Sequence, residues 1–227
     1  MILLVNAFIF DLDGVITNTA NLHYKAWKNL AEEIGISIDR TFNEYLKGVS
    51  RLESLEIILK SEGKQNAFSN EEKVQLATKK NKNYKKLINE ITPKDILPNM
   101  KTLLENISRK GYLLGLASAS ENAPTIIKAL RLEHYFQVIV DPTKVEQGKP
   151  APDIFLLAAS QLGITPKKCI GIEDAESGVE AIKRAKMFAV GVGDQKQLHK
   201  ADYIVHSTSE LYLPNMLMKW EKWYHAQ

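Results

Sequence analysis

The hydrophobic positions of this chain fall into short runs of strand length: Val5 to Phe10, Tyr112 to Ala117, Val138 to Val140, Cys169 to Ile172, Phe188 to Val192 and Tyr203 to Val205. Patterns of helical period separate most of them. Buried strands alternating with amphipathic helices predict a parallel sheet covered on both faces, because parallel neighbours need long crossovers and helices usually supply them. The expected core is therefore α/β, a doubly wound, Rossmann-like parallel sheet.

One stretch breaks the alternation. About a hundred residues separate the first strand from the second, and they carry only helical patterns, such as Leu22, Ala26, Leu30 and Ile34, then Val74, Ala77 and the run toward Ile91. That is too long for a simple crossover. It reads as a helical cap domain, residues 17–91, inserted into a core made of 1–16 and 92–227 and joined to it by two adjacent linkers. Ser69-Asn70-Glu71-Glu72 has capping-box spacing and should open the last cap helix; Ser177 to Glu180 repeats that spacing in the core.

Composition narrows the class. With 227 residues, 44% hydrophobic and 25% charged, the chain can bury a full core, and a net charge of +3 with interspersed signs calls for neither nucleic acid nor an anionic membrane. The apolar start, Met1 to Val5, breaks at Asp11 and Asp13 and lacks a basic leader, so it reads as a buried first strand and not an export segment. The single cysteine, Cys169, lies in an apolar run and reads as a buried structural thiol, which fits a reducing, cytoplasmic setting. The densest basic cluster, Lys79 to Lys86, spreads around a helix and reads as a solvated face.

The polar residues that interrupt these runs carry the chemistry. The first strand ends in Asp11-Leu12-Asp13-Gly14, two carboxylates whose alternate spacing points them to one side, where open parallel sheets collect ligands. The second strand runs into Ser118-Ala119-Ser120, hydroxyls fit to bond a phosphate oxygen. Gly148-Lys149-Pro150 offers a cation, and Ile170 to Ile172 leads into Glu173-Asp174. Each has a plain structural reading: a turn cap for the first acids, a turn start for Ser118, surface charge for Lys149, a helix cap for Asp174.

In this order, however, the segments resemble the haloacid dehalogenase-like superfamily of phosphotransferases, along essentially the whole chain. The acids concentrate negative charge where a phosphate dianion must also sit, so a cation is required, and hard oxygen ligands select Mg²⁺. The resemblance implies that Asp11, the main-chain carbonyl of Asp13, and Asp174 with Glu173 hold that metal. It further implies that Asp11 is the nucleophile, Asp13 the general acid/base, and Ser118 and Lys149 donors to the phosphoryl oxygens.

Within that superfamily the chain looks most like the phosphosugar mutases. The matching segments are Asp13 to Ala20, His23, Ala26-Trp27, Phe42-Asn43-Glu44, Leu46 to Arg51, Lys80-Asn81, Asn83-Tyr84, Leu116 to Ser120 with Asn122, and Lys149 to Phe155. This implies interconversion of β-glucose 1-phosphate and glucose 6-phosphate through β-glucose 1,6-bisphosphate, which also primes the enzyme. The alternative is a small-molecule sugar-phosphate phosphatase of the same fold.

A bisphosphate needs a second phosphate site. Arg51 is its candidate holder, with Gly48, Val49 and Ser50 beside it and Ser120 and Asn122 completing it, Ala119 lying between the serines. The resemblance gives His23 and Lys80 an orienting role toward Asp13 and adds Thr19 and Trp27, the last also readable as cap packing. The cap is expected to act as a water-excluding lid. Two positions depart from the pattern: Asn18, where relatives often have Asp, and Glu121, where some have Lys, which should point to solvent. The protein is expected to work as a monomer on small sugar phosphates, without nucleic acid or membrane partners.

Overall fold

The computed structural model describes residues 5–46 and 49–226. Its sheet has six strands, β1 (Ala7–Phe10), β2 (Leu113–Leu116), β3 (Val138–Ile139), β4 (Cys169–Glu173), β5 (Phe188–Val192) and β6 (Tyr203–Val205), in the order β3-β2-β1-β4-β5-β6. Every neighbouring pair is parallel; Phe10 stands opposite Leu116 on one side and Ile172 on the other. This is the doubly wound order expected from the strand runs.

Alternation along the strands splits the core between the two faces. Ala7, Ile9, Cys169 and Ala189 pack with α7 (Asp153–Gln161) and α8 (Glu176–Arg184). On the other face Phe8 stacks edge-on against Tyr112, and Phe188 against Trp223 of α9 (Leu213–His225). The buried stripes of α5 (Met100–Arg109), Met100, Leu103, Leu104 and Ile107, and of α6 (Ala123–Ala129), Ala123, Ile126 and Ile127, recur at helical spacing. Cys169 is fully buried, its thiol donating to the Thr165 carbonyl, and burial pushes it up to about 12. It is an inert packing group, as its apolar run implies.

The chain divides into two units, Met1–Asn18 with Thr92–Gln227, and Thr19–Ile91. Thr17, expected in the insert, belongs to the first: its hydroxyl donates to the Asp95 carbonyl at 2.7 Å, and its backbone bridges to Ile96.

The second unit is helical: α1 (Ala20–Glu33), α2 (Arg40–Glu44), α3 (Arg51–Ser61) and α4 (Asn70–Ile88). Trp27, Leu30, Ala31, Leu55, Ile58, Leu59 and Ala77 form its core. Ser69 and Glu72 make the expected capping box at the start of α4, and Ser50 with Glu53 makes another at α3.

Two sequence expectations fail here for physical reasons. The buried stripe of α4 is Ala77, Lys80, Tyr84 and Ile88, so of the expected apolar positions Ala77 is buried and Val74 is exposed, while a lysine takes a place that apolarity alone does not find. No capping box forms at Ser177: α8 starts two residues earlier, with Ala175 at the N-cap position, and Glu180 is held by Arg184 and Lys200 instead.

Candidate active site

The strand order reverses at β1, which has β2 on one side and β4 on the other, and a parallel sheet opens a crevice beyond its carboxyl ends at such a reversal. The chain spends its polar residues there. Asp11 follows β1, Ser118 lies just past β2, Glu173 ends β4 and Asp174 comes next. The ladder carries them into register: the Asp11 N–H donates to the Ile172 carbonyl at 2.9 Å, and that of Ala117 to Phe10 at 2.8 Å.

Lys149 ties this cluster together. Its Nζ donates to Asp11 Oδ1 at 2.5 Å and to Glu173 Oε1 at 3.0 Å, over the face of the Phe155 ring. Burial alone would discharge such a lysine, but the Asp11 and Glu173 carboxylates outweigh it and hold Lys149 above its ordinary value. Glu173 is pushed upward, first by burial and then by the negative charge of Asp11, with Lys149 opposing both. Its other oxygen accepts from the Asp174 N–H at 2.9 Å.

One lysine does not balance three carboxylates. One oxygen from each of Asp11, Glu173 and Asp174 lies within 4.8 Å of the others. Opposite ligands of an octahedral ion bound at about 2.1 Å stand about 4.2 Å apart, so small side-chain movements bring these oxygens onto a common hard cation. The donor set fits a divalent metal.

Asp13 is not placed by the strand alternation that its spacing implies. The chain leaves the sheet at Phe10, and Asp13 sits in a tight turn closed by hydrogen bonds from Gly14 N to Thr17 O at 2.7 Å and from Ile16 N to Leu12 O at 2.9 Å. Strand alternation therefore does not place it, and its side chain is outside the carboxylate triad. Gly14 makes the turn possible, with φ of +78°, and a β-carbon there would stand 2.0 Å from Asp174 Oδ2.

Beyond β2, the Ser118 Oγ accepts from Ser120 N at 3.2 Å and the Ser120 Oγ from Asn122 N at 3.3 Å. Both hydroxyls keep their own hydrogens to donate. Ser118 and Asn122 are buried, Ala119 and Ser120 half-buried, and Glu121 is exposed.

The helical unit brings together four of its sequence candidates. Lys80 is only 3% exposed and is no member of a solvated face: its Nζ lies 4.6 Å from the centre of the Trp27 ring and 4.7 Å from that of Tyr84. It stands 2.9 Å from His23 Nδ1, and because an ammonium only donates, Nδ1 accepts and Nε2 carries the imidazole proton. Burial, then the cations of Lys80 and Arg51, hold His23 well below its usual value; its residual exposure weakens this without reversing it. The Tyr84 hydroxyl donates to Thr19 Oγ1 at 3.0 Å. The four-residue step from Lys80 to Tyr84 was the signal for this pairing.

Arg51 is the first residue of α3 and half-buried, beside half-buried Val49. Ser50, expected as a ligand, also caps α3: its Oγ accepts from Glu53 N at 3.3 Å and its N–H donates to Glu53 Oε2 at 2.9 Å, bonds that do not use the hydroxyl hydrogen. Gly48 lies outside the described residues.

Removing the lysine should leave two buried carboxylates facing each other. Lys149→Met is expected to lower stability in EDTA by about 3 to 5 kcal/mol in urea unfolding, since breaking a buried pair strands its charges; a loss below about 1 kcal/mol would assign the pair no more than a surface value. His23 sets a second expectation. The unfolded residue takes a proton below its ordinary pKa of 6.5 and the folded one refuses it, so stability falls as pH drops through that value. His23→Asn should flatten this fall between pH 7 and 5 by at most about 1.4 kcal/mol per pH unit, and equal slopes in thermal unfolding would show that the ring titrates normally.

The comparisons with known proteins agree with this geometry. The haloacid dehalogenase-like hydrolase family profile matches residues 5–186. A beta-phosphoglucomutase of Bacillus subtilis is 49% identical over 96% of this chain and 97% of its own. The phosphorylated carbohydrates phosphatase of Thermotoga maritima is 31% identical over 80% of this chain and 82% of its own. The crystal structure of beta-phosphoglucomutase from Clostridium difficile superposes with a TM-score of 0.95 at 47% identity, covering 97% of this chain and 99% of that one. With its sheet order, its carboxylate cluster and its sequence in agreement, the chain belongs to the haloacid dehalogenase-like hydrolase family.

Proposed function

We propose that this chain is a phosphomutase, an isomerase that interconverts β-D-glucose 1-phosphate and D-glucose 6-phosphate through β-D-glucose 1,6-bisphosphate. The observation that carries the reading is the Asp11 carboxylate at the tip of β1, held by Lys149 beside Glu173 and Asp174. Identity of 49% over nearly the full chain to a mutase, against 31% to a carbohydrate phosphatase, favours transfer to a sugar over transfer to water.

Asp11 is proposed as the nucleophile. One of its oxygens attacks phosphorus, an O–P bond forms, and the P–O bond to the sugar breaks; the electron pair stays on the sugar oxygen. Asp13 protonates that oxygen as it leaves and takes a proton from the next attacking hydroxyl. In the forward direction phospho-Asp11 gives its group to the 6-hydroxyl of β-glucose 1-phosphate. The bisphosphate then returns its 1-phosphoryl group to Asp11 and leaves as glucose 6-phosphate.

Mg²⁺, held by Asp11, the Asp13 carbonyl, Asp174 and Glu173, would neutralise phosphoryl charge. Lys149 and Ser118 donate to the same oxygens, where a preorganised cation and hydroxyl act most strongly. Arg51, with Ser120, Ala119 and Asn122, is proposed to hold the phosphate that is not reacting, its guanidinium able to grip two oxygens at once. His23, fixed as a neutral Nε2–H donor by Lys80, is proposed to orient the acid/base carboxylate, with Thr19 and Trp27 supporting that arrangement. The reading is of a cytoplasmic, monomeric enzyme of carbohydrate metabolism. Among the described residues no helix is long and apolar enough to cross a membrane.

An assay comparing the α and β anomers of glucose 1-phosphate, with and without bisphosphate and with free phosphate monitored, tests the reading. Primer-dependent isomerisation of the β anomer should far outrun phosphate release, and comparable rates would make the enzyme a phosphatase. Asp11→Asn should abolish labelling by radioactive primer, and persistent label would move the nucleophile elsewhere. Asp13→Asn should still be labelled while turnover falls by roughly 10² to 10⁴.

A further inference from the structure

Glu173 is the most confined carboxylate of the charge cluster. Its side chain is 1% exposed, Oε1 accepts from Lys149 and Oε2 from the Asp174 N–H. The space it occupies belongs to Gly178, in the first turn of α8. A β-carbon on Gly178 would stand 1.8 Å from Glu173 Oε1, 2.1 Å from Cδ and 2.3 Å from Cγ, closer than any real contact.

Backbone freedom does not explain this glycine. Gly178 is absent from the positive-φ residues, sits inside a regular helix, and occupies a position where helix propensity favours alanine. Gly14 performs the matching service for Asp174, but its φ of +78° would demand glycine in any case. Gly178 is the position where the two causes separate.

We infer that Gly178 is a positioning residue: its missing side chain forms the socket that presses the Glu173 carboxylate into its bonds with Lys149 and the Asp174 N–H. The inference rests on the proposed reading for what that cluster does. A methyl group here has little choice of what to displace. Glu173 is paired through its backbone with Gly191 of β5, and α8 is locked onto the sheet by Val179 and Ile182, so the carboxylate moves first. Both of its oxygens then lose their partners, Lys149 swings with them, and the metal-binding oxygens lose their arrangement.

The test uses Gly178→Ala alone and with Glu173→Ala, read by thermal unfolding in EDTA and by calorimetric titration with Mg²⁺. In the native background Gly178→Ala should lower the midpoint and weaken Mg²⁺ binding on the order of 10 to 100-fold, the usual cost of disturbing a ligand's support. With Glu173 cut back to alanine, the added methyl should cost nothing in midpoint. An equal midpoint loss in both backgrounds would overturn the socket, as would unchanged Mg²⁺ affinity in the single variant. Should Gly178→Ala fail to fold, the double variant must fold as well as Glu173→Ala, or the proposal falls. No sugar phosphate enters either measurement, so a failed mutase assay would leave both readouts unaffected.

Discussion

A single ammonium group holds opposing charges in a place where water does not help. Lys149 lies buried between Asp11 and Glu173, and neither carboxylate is tolerable there without it. The arrangement is also incomplete, since one positive charge faces three acids. Such a surplus favours the uptake of a cation, whose charge offsets it. The stability of the crevice and its appetite for ligands are two aspects of one electrostatic imbalance.

The sheet delivers these groups because parallel pairing fixes where each strand ends. With β1 flanked by β2 and β4, three consecutive carboxyl ends fall side by side, so Asp11, Ser118 and Glu173 converge although their positions in the chain are far apart. The helical unit follows another logic. There a lysine, two aromatic rings and an imidazole share one interior, and the lysine decides the tautomer of the imidazole.

Much of this was legible in the amino-acid order. Five of the six strands lie within their apolar runs and β4 overruns its own only by Glu173, because β1, β4 and β5 are buried along their whole length and take few polar residues. Asp11, Glu173 and Asp174 at or next to strand ends, and Lys149 in the loop before α7, were visible because in that order they resemble the superfamily's pattern. What escaped notice depended on partners. Within its basic cluster Lys80 reads as surface, and only the resemblance singled it out; in the fold its ammonium lies over the Trp27 and Tyr84 rings. Ser177 and Glu180 have the spacing of a cap, yet the helix begins upstream and Glu180 finds Arg184 and Lys200. Ser50 reads as a phosphate contact beside Arg51, and its further role as the cap of α3 shows only once Glu53 closes the capping box. Gly178 carried a signal, a glycine inside a helical pattern, but its meaning lies across space in a carboxylate.

The pairing of β1 also bears on how the chain is made. Its two neighbours begin at Leu113 and Cys169, so at ribosomal speeds of about 5 to 20 residues per second the opening strand waits on the order of 5 to 20 s for its first partner. The stretch Thr19–Ile91 is contiguous and builds its interior from its own helices, so it is finished during that delay. Nascent polypeptide thus emerges with a folded knob following an unsatisfied apolar ribbon, and that ribbon is the segment chaperones would have most reason to grasp.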